Sequence, residues 1–146
     1  MTLEVRARAE VYPTEDPAKV ERAIQKLFPS GRIEKEVKSD GSVSVSVHGT
    51  SLDFLSNLRS IIKQERIRSA ARSILLRRLK EPRLRFYLNK QAAFMGRVSF
   101  CEPVGESPHG PITIEVDTED YQSVVDYLAS PPTQIFNPDF RQGRKR

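Results

Sequence analysis

The stretch RSIIKQERIRSAARSILLRRLKEPRLRFYLNKQAAFMGRVSF, Arg59–Phe100, decides how the rest of the chain is organised. Its first part, Arg59–Arg85, carries ten basic and two acidic side chains, a local net charge of +8 that exceeds the +5 of the whole chain. Its second part, Phe86–Phe100, has two apolar segments around a polar connection, Asn89–Ala92, which is the pattern of a β-hairpin. The sequence therefore predicts a basic helix that leads directly into a hairpin, an arrangement that attracts polyanions such as nucleic acids.

The helical region before this hairpin, about Leu52–Lys80, has two apolar stripes that point in different directions. At about 100° per residue, the stripes lie far apart around the helix axis. They consist of Leu55, Leu58, Ile61 and Ile62 in the first and of Ile67, Ala70, Ala71, Ile74 and Leu75 in the second. One straight helix cannot bury both stripes against a flat sheet, so we predict a break near Lys63–Arg66 and two helices. The solvent-facing arc of the second is then expected to carry Arg66, Arg68, Arg72 and Arg77.

The remainder of the chain alternates strands with helices. Strict alternation of apolar and charged residues predicts a strand over Leu3–Val11, and Asp16-Pro17 is typical of a helix start. Asp40-Gly41 is a strong hairpin turn between two further strands. The last elements are a strand at Ile112–Val116 and a helix at about Glu119–Ala129. This order predicts an α+β fold, with a single antiparallel-rich sheet and helices packed on one face as a two-layer sandwich.

Length and composition favour one small domain. We expect a single α+β domain over residues 1–132, followed by a basic, flexible tail over residues 133–146. The 146-residue chain has no apolar run near the roughly 20 residues that span a bilayer, and its charged start does not resemble a signal peptide. A single cysteine excludes an internal disulfide framework. These features predict a cytoplasmic protein with no membrane partner.

Two groups of side chains are the candidate nucleic-acid contacts. Arginine binds phosphate oxygens bidentately, and the candidate arginines are Arg66, Arg68, Arg72, Arg77 and Arg78. In the polar connection, the amides of Asn89 and Gln91 would bond base edges while Lys90 meets a phosphate. The alternatives are a solvated helix face for the arginines and a turn with locally satisfied amides for the connection.

The open face of the sheet is a different platform. We expect that face to show Arg6, Arg8, Ser44, Ser46, Arg85, Tyr87, Arg97 and Thr113. Tyr87 among arginines would stack a base and hold its phosphate. Sheets that stack bases usually offer two or three aromatic residues, so cross-strand pairing of the arginines with Glu4, Glu10 and Glu115 is the favoured interpretation.

Catalytic and metal-binding patterns are weak. The chain has neither a GxxxxGK[ST] nor a GxGxxG phosphate loop. His48, His109 and Cys101 are not spaced as a zinc site, and capping explains the acidic cluster at Asp117–Asp120. We therefore predict no catalytic activity, no metal and no cofactor.

Three segments together resemble a known archaeal family of uncharacterised proteins, UPF0201. They are VYPTEDPAKVERAIQKLFP (Val11–Pro29), RIRSAARSILLRRL (Arg66–Leu79) and RFYLNKQAAFMGRVSF (Arg85–Phe100), with LNKQAAF and GPI (Gly110–Ile112) the most specific parts. The resemblance covers about residues 3–133. It implies a predicted RNA-binding role and a fold similar to the 5S-RNA-binding protein of the large ribosomal subunit. The choice of RNA over DNA rests on this resemblance, and the tail is an extension beyond it.

Three hypotheses of different classes follow. The first is a non-catalytic, cytoplasmic RNA-binding protein with phosphate- and shape-dominated contacts through the basic helix and the adjacent polar turn. The second is a protein-interaction module or homodimer, in which the acidic segment 86–140 pairs with the basic segment 59–85. The third is a small enzyme that acts on a phosphorylated ligand, with arginines as clamps.

Overall fold

Apolar and charged residues alternate along the first strand, so one of its faces is buried and the other is exposed. Within residues 2–80, 83–102 and 110–131, which the computed structural model describes, six strands form one antiparallel sheet in the order β2-β3-β1-β6-β5-β4. The strands are β1 (Leu3–Val11), β2 (Glu34–Val37), β3 (Val43–Gly49), β4 (Leu79–Lys80), β5 (Arg83–Asn89) and β6 (Pro111–Thr118). The apolar side chains of β1 are buried, whereas Glu4, Arg6 and Arg8 are exposed on the opposite face.

Helices in the same part of the chain cover the apolar face of the sheet. They are α1 (Pro17–Leu27), α2 (Ser56–Gln64), α3 (Arg68–Arg78), α4 (Lys90–Phe94) and α5 (Tyr121–Leu128), with a 3-10 turn at Leu52–Leu55. Helix α1 packs on β1 and β3, α3 and α4 pack on β5, and α5 packs on α2 and α3. One hydrophobic core joins these elements. The predicted α+β fold, with one antiparallel sheet and a helical layer on one face, is confirmed.

The predicted break in the long helical region is also confirmed. Helix α2 ends at Gln64, and Arg66 has a positive φ of 58° before α3 begins. The Arg66 N–H donates to the Lys63 carbonyl at 3.1 Å, and the Ile67 N–H donates to the Ile62 carbonyl at 3.3 Å. This bond pair is the Schellman motif, which satisfies the last carbonyls of a helix and turns the chain sharply.

The predicted solvent arc of α3 is wrong at Arg72. The buried positions of α3 are Ala71 and Leu75, while Ala70 is exposed and Arg72 is half-buried. The helix is therefore rotated so that Arg72 faces α5 instead of water. A helical wheel predicts which residues share a face, but the packing partner decides which face is buried.

The predicted hairpin over Phe86–Phe100 is wrong in its second half. The polar connection begins α4, because the Asn89 side chain accepts a hydrogen bond from the Ala92 N–H at 2.9 Å and so caps the helix. After α4 the chain pairs with β5 only briefly, through an isolated bridge between Leu88 and Phe100. Arg97 consequently lies beside Glu65 in the helical layer and not on the open sheet face.

Neither the predicted domain boundary nor the predicted tail is tested by the described residues. The single domain over residues 1–132 stays a prediction, and the predicted tail at residues 133–146 lies outside the described residues. The likeness to the 5S-RNA-binding ribosomal protein also stays a prediction.

Candidate nucleic-acid interface

Arg72, one of the predicted phosphate contacts, ties two helices together. Its Nη1 atom lies 2.6 Å from Asp126 Oδ1 and 3.0 Å from the Ala129 carbonyl oxygen at the end of α5. The hydrogen bond from Arg72 lowers the pKa of Asp126 below its usual value. With 18% of its side chain exposed, Arg72 has a structural role that the sequence did not predict.

Arg78 is likewise engaged by neighbouring side chains. Its Nη2 atom lies 2.6 Å from Glu102 Oε1, and its guanidinium lies over the Tyr87 ring at 5.2 Å from the centroid. Arg78 thus reaches around the edge of the sheet towards the open face. The three remaining predicted arginines, Arg66, Arg68 and Arg77, are exposed, and Arg68 makes a 3.3 Å hydrogen bond to Ser130.

The predicted polar turn presents only one of its three side chains to solvent. Lys90 is buried, with 5% of its surface exposed, and its Nζ atom lies 2.6 Å from the Glu10 carbonyl oxygen and 2.9 Å from Glu15 Oε1. Asn89 is half-buried and caps α4, whereas Gln91 is exposed. The arrangement makes Lys90 and Asn89 part of the scaffold around α4.

The helical layer carries most of the cations that have no carboxylate partner. In the part of the chain that the structure describes, eight exposed side chains of this layer have no carboxylate within salt-bridge distance. We call these the helix-face cations: Lys19, Arg22, Lys26, Arg59, Lys63, Arg66, Arg68 and Arg77. The acids Glu21, Glu65 and Asp126 are each already paired with another cation, namely Lys35, Arg97 and Arg72. The helical layer therefore presents a net positive surface.

The open sheet face is instead close to charge balance. Arg83 pairs with Asp117 at 3.2 Å, and Arg85 pairs with Glu115 at 2.5 Å, which raises the pKa of Arg85. The predicted cross-strand pairing with Glu115 is thus confirmed. Glu10 pairs with Lys38 at 3.6 Å, and Glu4 Oε1 lies 3.9 Å from His48 Nε2. Among the described residues of this face, only Arg6 and Arg8 have no carboxylate within salt-bridge distance.

A feature that the sequence did not predict lies where α1 meets α4. Lys19, Arg22 and Lys26 place their charged groups 5.4, 5.7 and 5.5 Å from the centroid of the Phe94 ring. They are three and four residues apart along α1, so they share one face of the helix. This spacing is visible in the sequence and could have identified the three cations as a group. Phe94 was missed because the predicted strand assigned its ring to the core.

The described residues contain neither a helix that could span a membrane nor a cluster of metal-binding side chains. No helix among them is long and apolar enough to cross a membrane. No group of three or more His, Cys, Asp or Glu side chains in residues 2–80, 83–102 and 110–131 is arranged to hold a metal ion.

The fold and its surface define an α+β protein with a positively charged helical layer, and comparisons with known proteins identify its family. A family model described as RNA binding matches residues 4–118. A UPF0201 protein from Pyrobaculum aerophilum is 41% identical over 128 residues, which cover 87% of this chain and 89% of the relative. A UPF0201 protein from Methanothermobacter thermautotrophicus is 38% identical over 125 residues, covering 86% and 89%.

A solved structure agrees with these relatives. The crystal structure of a UPF0201 protein from Methanococcus jannaschii has a TM-score of 0.75 and 31% identity, and the match covers 86% of this chain and 98% of that one. The chain therefore belongs to the UPF0201 family, and the family model that it matches is described as RNA binding.

Proposed function

We propose that this protein binds RNA without catalysing a reaction on it, and that the helix-face cations are the contact surface. The observation that carries the proposal is the segregation of charge between the two layers. Eight cations of the helical layer have no carboxylate partner in the described residues, whereas most charges of the open sheet face are paired. Unpaired cations concentrated on one face attract a polyanion and release its counterions on binding.

Within this surface, Arg66, Arg68 and Arg77 are the proposed phosphate contacts from the predicted set. All three are exposed, so a guanidinium can meet a phosphate without breaking a buried contact. The other members of the predicted set are proposed to stabilise the fold around α3 and α4 and not to contact the RNA; they are Arg72, Arg78, Asn89 and Lys90. Gln91 is exposed beside the helix-face cations and remains a candidate for a polar contact with a base or sugar.

The choice of RNA over DNA is supported by the description of the matching family model. Contacts to phosphates do not themselves distinguish the two polymers. Five phosphate contacts would give a log–log dependence of affinity on salt with a slope of roughly −3.5 to −4.5. A cytoplasmic location is part of the proposal.

A homodimer is the second candidate function, and one exposed side chain favours it. Leu76, on the outward side of α3, is 42% exposed, and the surface buried in homodimer interfaces is more apolar than the rest of a protein surface. Sedimentation at several protein concentrations tests this candidate. A Leu76→Lys variant that leaves a concentration-dependent mass unchanged would exclude α3 as the interface.

The test of RNA binding compares two double charge reversals that change the net charge equally. Arg66→Glu/Arg77→Glu alters the helical layer, and Arg6→Glu/Arg8→Glu alters the open sheet face. All four side chains are exposed without carboxylate partners in the described residues, so the helical-layer variant should keep the melting temperature of the wild type. The open-face variant should stay folded but melt slightly lower, because Arg6→Glu lies opposite Glu115 on β6. Binding is measured by fluorescence anisotropy with a labelled RNA and a matched DNA at two salt concentrations.

The expected result is a loss confined to the first variant. Removing two phosphate contacts reduces the salt slope by about 1.4 to 1.8, which corresponds to about 25- to 60-fold in affinity at ~0.1 M salt. The open-face variant should bind within about threefold of wild type. Equal losses in both variants would indicate non-specific attraction to net charge, and no binding of RNA at low salt would refute the proposal.

A further inference from the structure

A single half-exposed aromatic ring gathers three cations of α1. Phe94 is only partly buried, and the charged ends of Lys19, Arg22 and Lys26 lie 5.4–5.7 Å from the centre of its ring. Each such cation–π contact is worth about 0.5–1 kcal/mol at an exposed site. Because these side chains are long and exposed, their head groups can leave the ring for a stronger anionic partner at a small cost.

The same ring forms one wall of an open cleft. The cleft has a volume of about 530 Å³ and lies between the start of α1 and α4. Phe94, Met95 and Gln91 line it on the α4 side, and Val20 and Ala23 line it on the α1 side. Met95 is 69% exposed, which is high for a large apolar side chain. The volume falls within the range of about 300–1,000 Å³ that is typical of small-ligand sites.

The three cations around Phe94 outnumber the acids at and beside this cleft that have no cationic partner among the described residues. Asp16 caps α1 through the Ala18 N–H at 3.0 Å, and Glu15 pairs with the buried Lys90. Glu21, on the same helix, pairs with Lys35 at 3.0 Å. The surroundings of Phe94 therefore combine an aromatic face and an exposed thioether with a local excess of positive charge.

We propose that this cleft takes an unpaired nucleotide of the bound RNA, with its base stacked on Phe94 beside Met95 and its phosphates on Lys19, Arg22 and Lys26. The inference rests on the proposed RNA binding and adds a class of target, namely RNA with a single-stranded segment. A base inside a duplex cannot reach the ring, because its faces are covered by its neighbours. Stacking of bases on aromatic side chains among cations is the usual way in which proteins hold single strands.

The experiment uses the full-length protein with one new fluorophore. The chain contains no tryptophan, so Met95→Trp introduces a single indole at an exposed position of the cleft, where it does not disturb the core. Its fluorescence is followed on addition of a 12-nucleotide single-stranded RNA and, separately, of the same sequence as a duplex. A second aromatic beside the base should also raise affinity for the single strand by about fivefold.

Phe94→Leu, made in the Met95→Trp protein, removes the aromatic ring and keeps an apolar side chain. Phe94→Tyr in the same protein is the control that keeps the ring. The inference predicts quenching of the indole by the single strand and little quenching by the duplex. Phe94→Leu should weaken single-strand binding by about fivefold or more and leave duplex binding within twofold of wild type. Phe94→Tyr, which keeps an aromatic ring, should bind the single strand as the parent protein does.

Two other outcomes separate this inference from the proposed function. If RNA binds and Arg66→Glu/Arg77→Glu weakens it, but neither RNA quenches the indole and Phe94→Leu has no effect, the cleft assignment is refuted and RNA binding stands. If no RNA binds the wild type even at low salt, both proposals fail. Quenching by an acidic peptide but not by RNA would also overturn the assignment and indicate a protein ligand.

Discussion

Replacement of Lys90 by methionine should destabilise the protein strongly and leave its RNA affinity unchanged. The Lys90 and Glu15 side chains are only 6% and 12% exposed, and their charged atoms lie 2.9 Å apart. Lys90 also donates to the Glu10 carbonyl at 2.6 Å. Methionine keeps the apolar stem but removes the ammonium group, so it deprives a buried carboxylate of its cation and a carbonyl of its donor.

The magnitude follows from the burial of this pair. Removing one partner of a buried ion pair typically costs 3–5 kcal/mol. Glu15 also accepts a hydrogen bond from the Tyr12 N–H at 2.9 Å, which leaves the carboxylate partly satisfied, so we expect the lower end, about 3 kcal/mol. For a chain of this length, that loss corresponds to a melting temperature lower by about 6–12 °C.

Denaturant unfolding measures this loss, and a double variant provides the control. Lys90→Met/Glu15→Gln removes both charges and should recover most of the stability, because no unpaired buried charge remains. Gln91→Ala, at the exposed neighbouring position, should change stability by less than about 0.5 kcal/mol. A Lys90→Met variant that loses under 1 kcal/mol but binds RNA tenfold more weakly would refute this reasoning and restore Lys90 as a phosphate contact.

Three further substitutions test the fold around the interface. Arg72 lowers the pKa of Asp126, so the ionised carboxylate stabilises the fold above its unfolded pKa, and this contribution is lost as the pH falls through the lowered folded pKa. Asp126→Asn should therefore have a lower melting temperature than wild type at neutral pH. The difference between the two melting temperatures should close as melting curves are recorded at increasingly acidic pH. Gly49→Ala should cost about 2–3 kcal/mol in denaturant unfolding, since its Cβ would lie within the ring of Phe54, and a cost near zero would mean that this contact is looser than described. Arg66→Gly should keep or slightly raise stability, because Arg66 has φ 58°, yet weaken RNA binding measurably by anisotropy; a large loss of stability would contradict the assigned turn.

The helix break was predictable because its cause is local. Two apolar stripes on one stretch of sequence exclude a straight helix, whatever they pack against. The inward orientation of Arg72 was not predictable in the same way, since its partner Asp126 lies 54 positions away in the sequence. A helical wheel shows the direction in which each side chain points. Only the packing partner, here α5, determines which charged residue of α3 is partly buried.

The start of α4 was missed although the sequence carried its signal. Asn89 precedes Lys-Gln-Ala-Ala, and an asparagine before strong helix formers is a typical helix start. The apolar segments on both sides of Asn89–Ala92 favoured a β-hairpin, so the asparagine was interpreted as part of a turn and not as a helix cap. The consequence for the site was large, because the helix buries Lys90 and turns Phe94 towards α1, where its three cations come from positions 68–75 residues earlier.

The central claim, that RNA covers the helical layer, is tested most directly by lysine footprinting of the unmodified protein. Lys19, Lys26 and Lys63 are exposed in that layer, and Lys38 is exposed near the sheet edge, where it pairs with Glu10. Each lysine is acetylated briefly with and without saturating RNA, and its modification is quantified by mass spectrometry. Protection of the first three with unchanged reactivity of Lys38 is the predicted result. Protection of Lys38 while the helical lysines stay reactive would place the RNA on the other side of the molecule and contradict the claim.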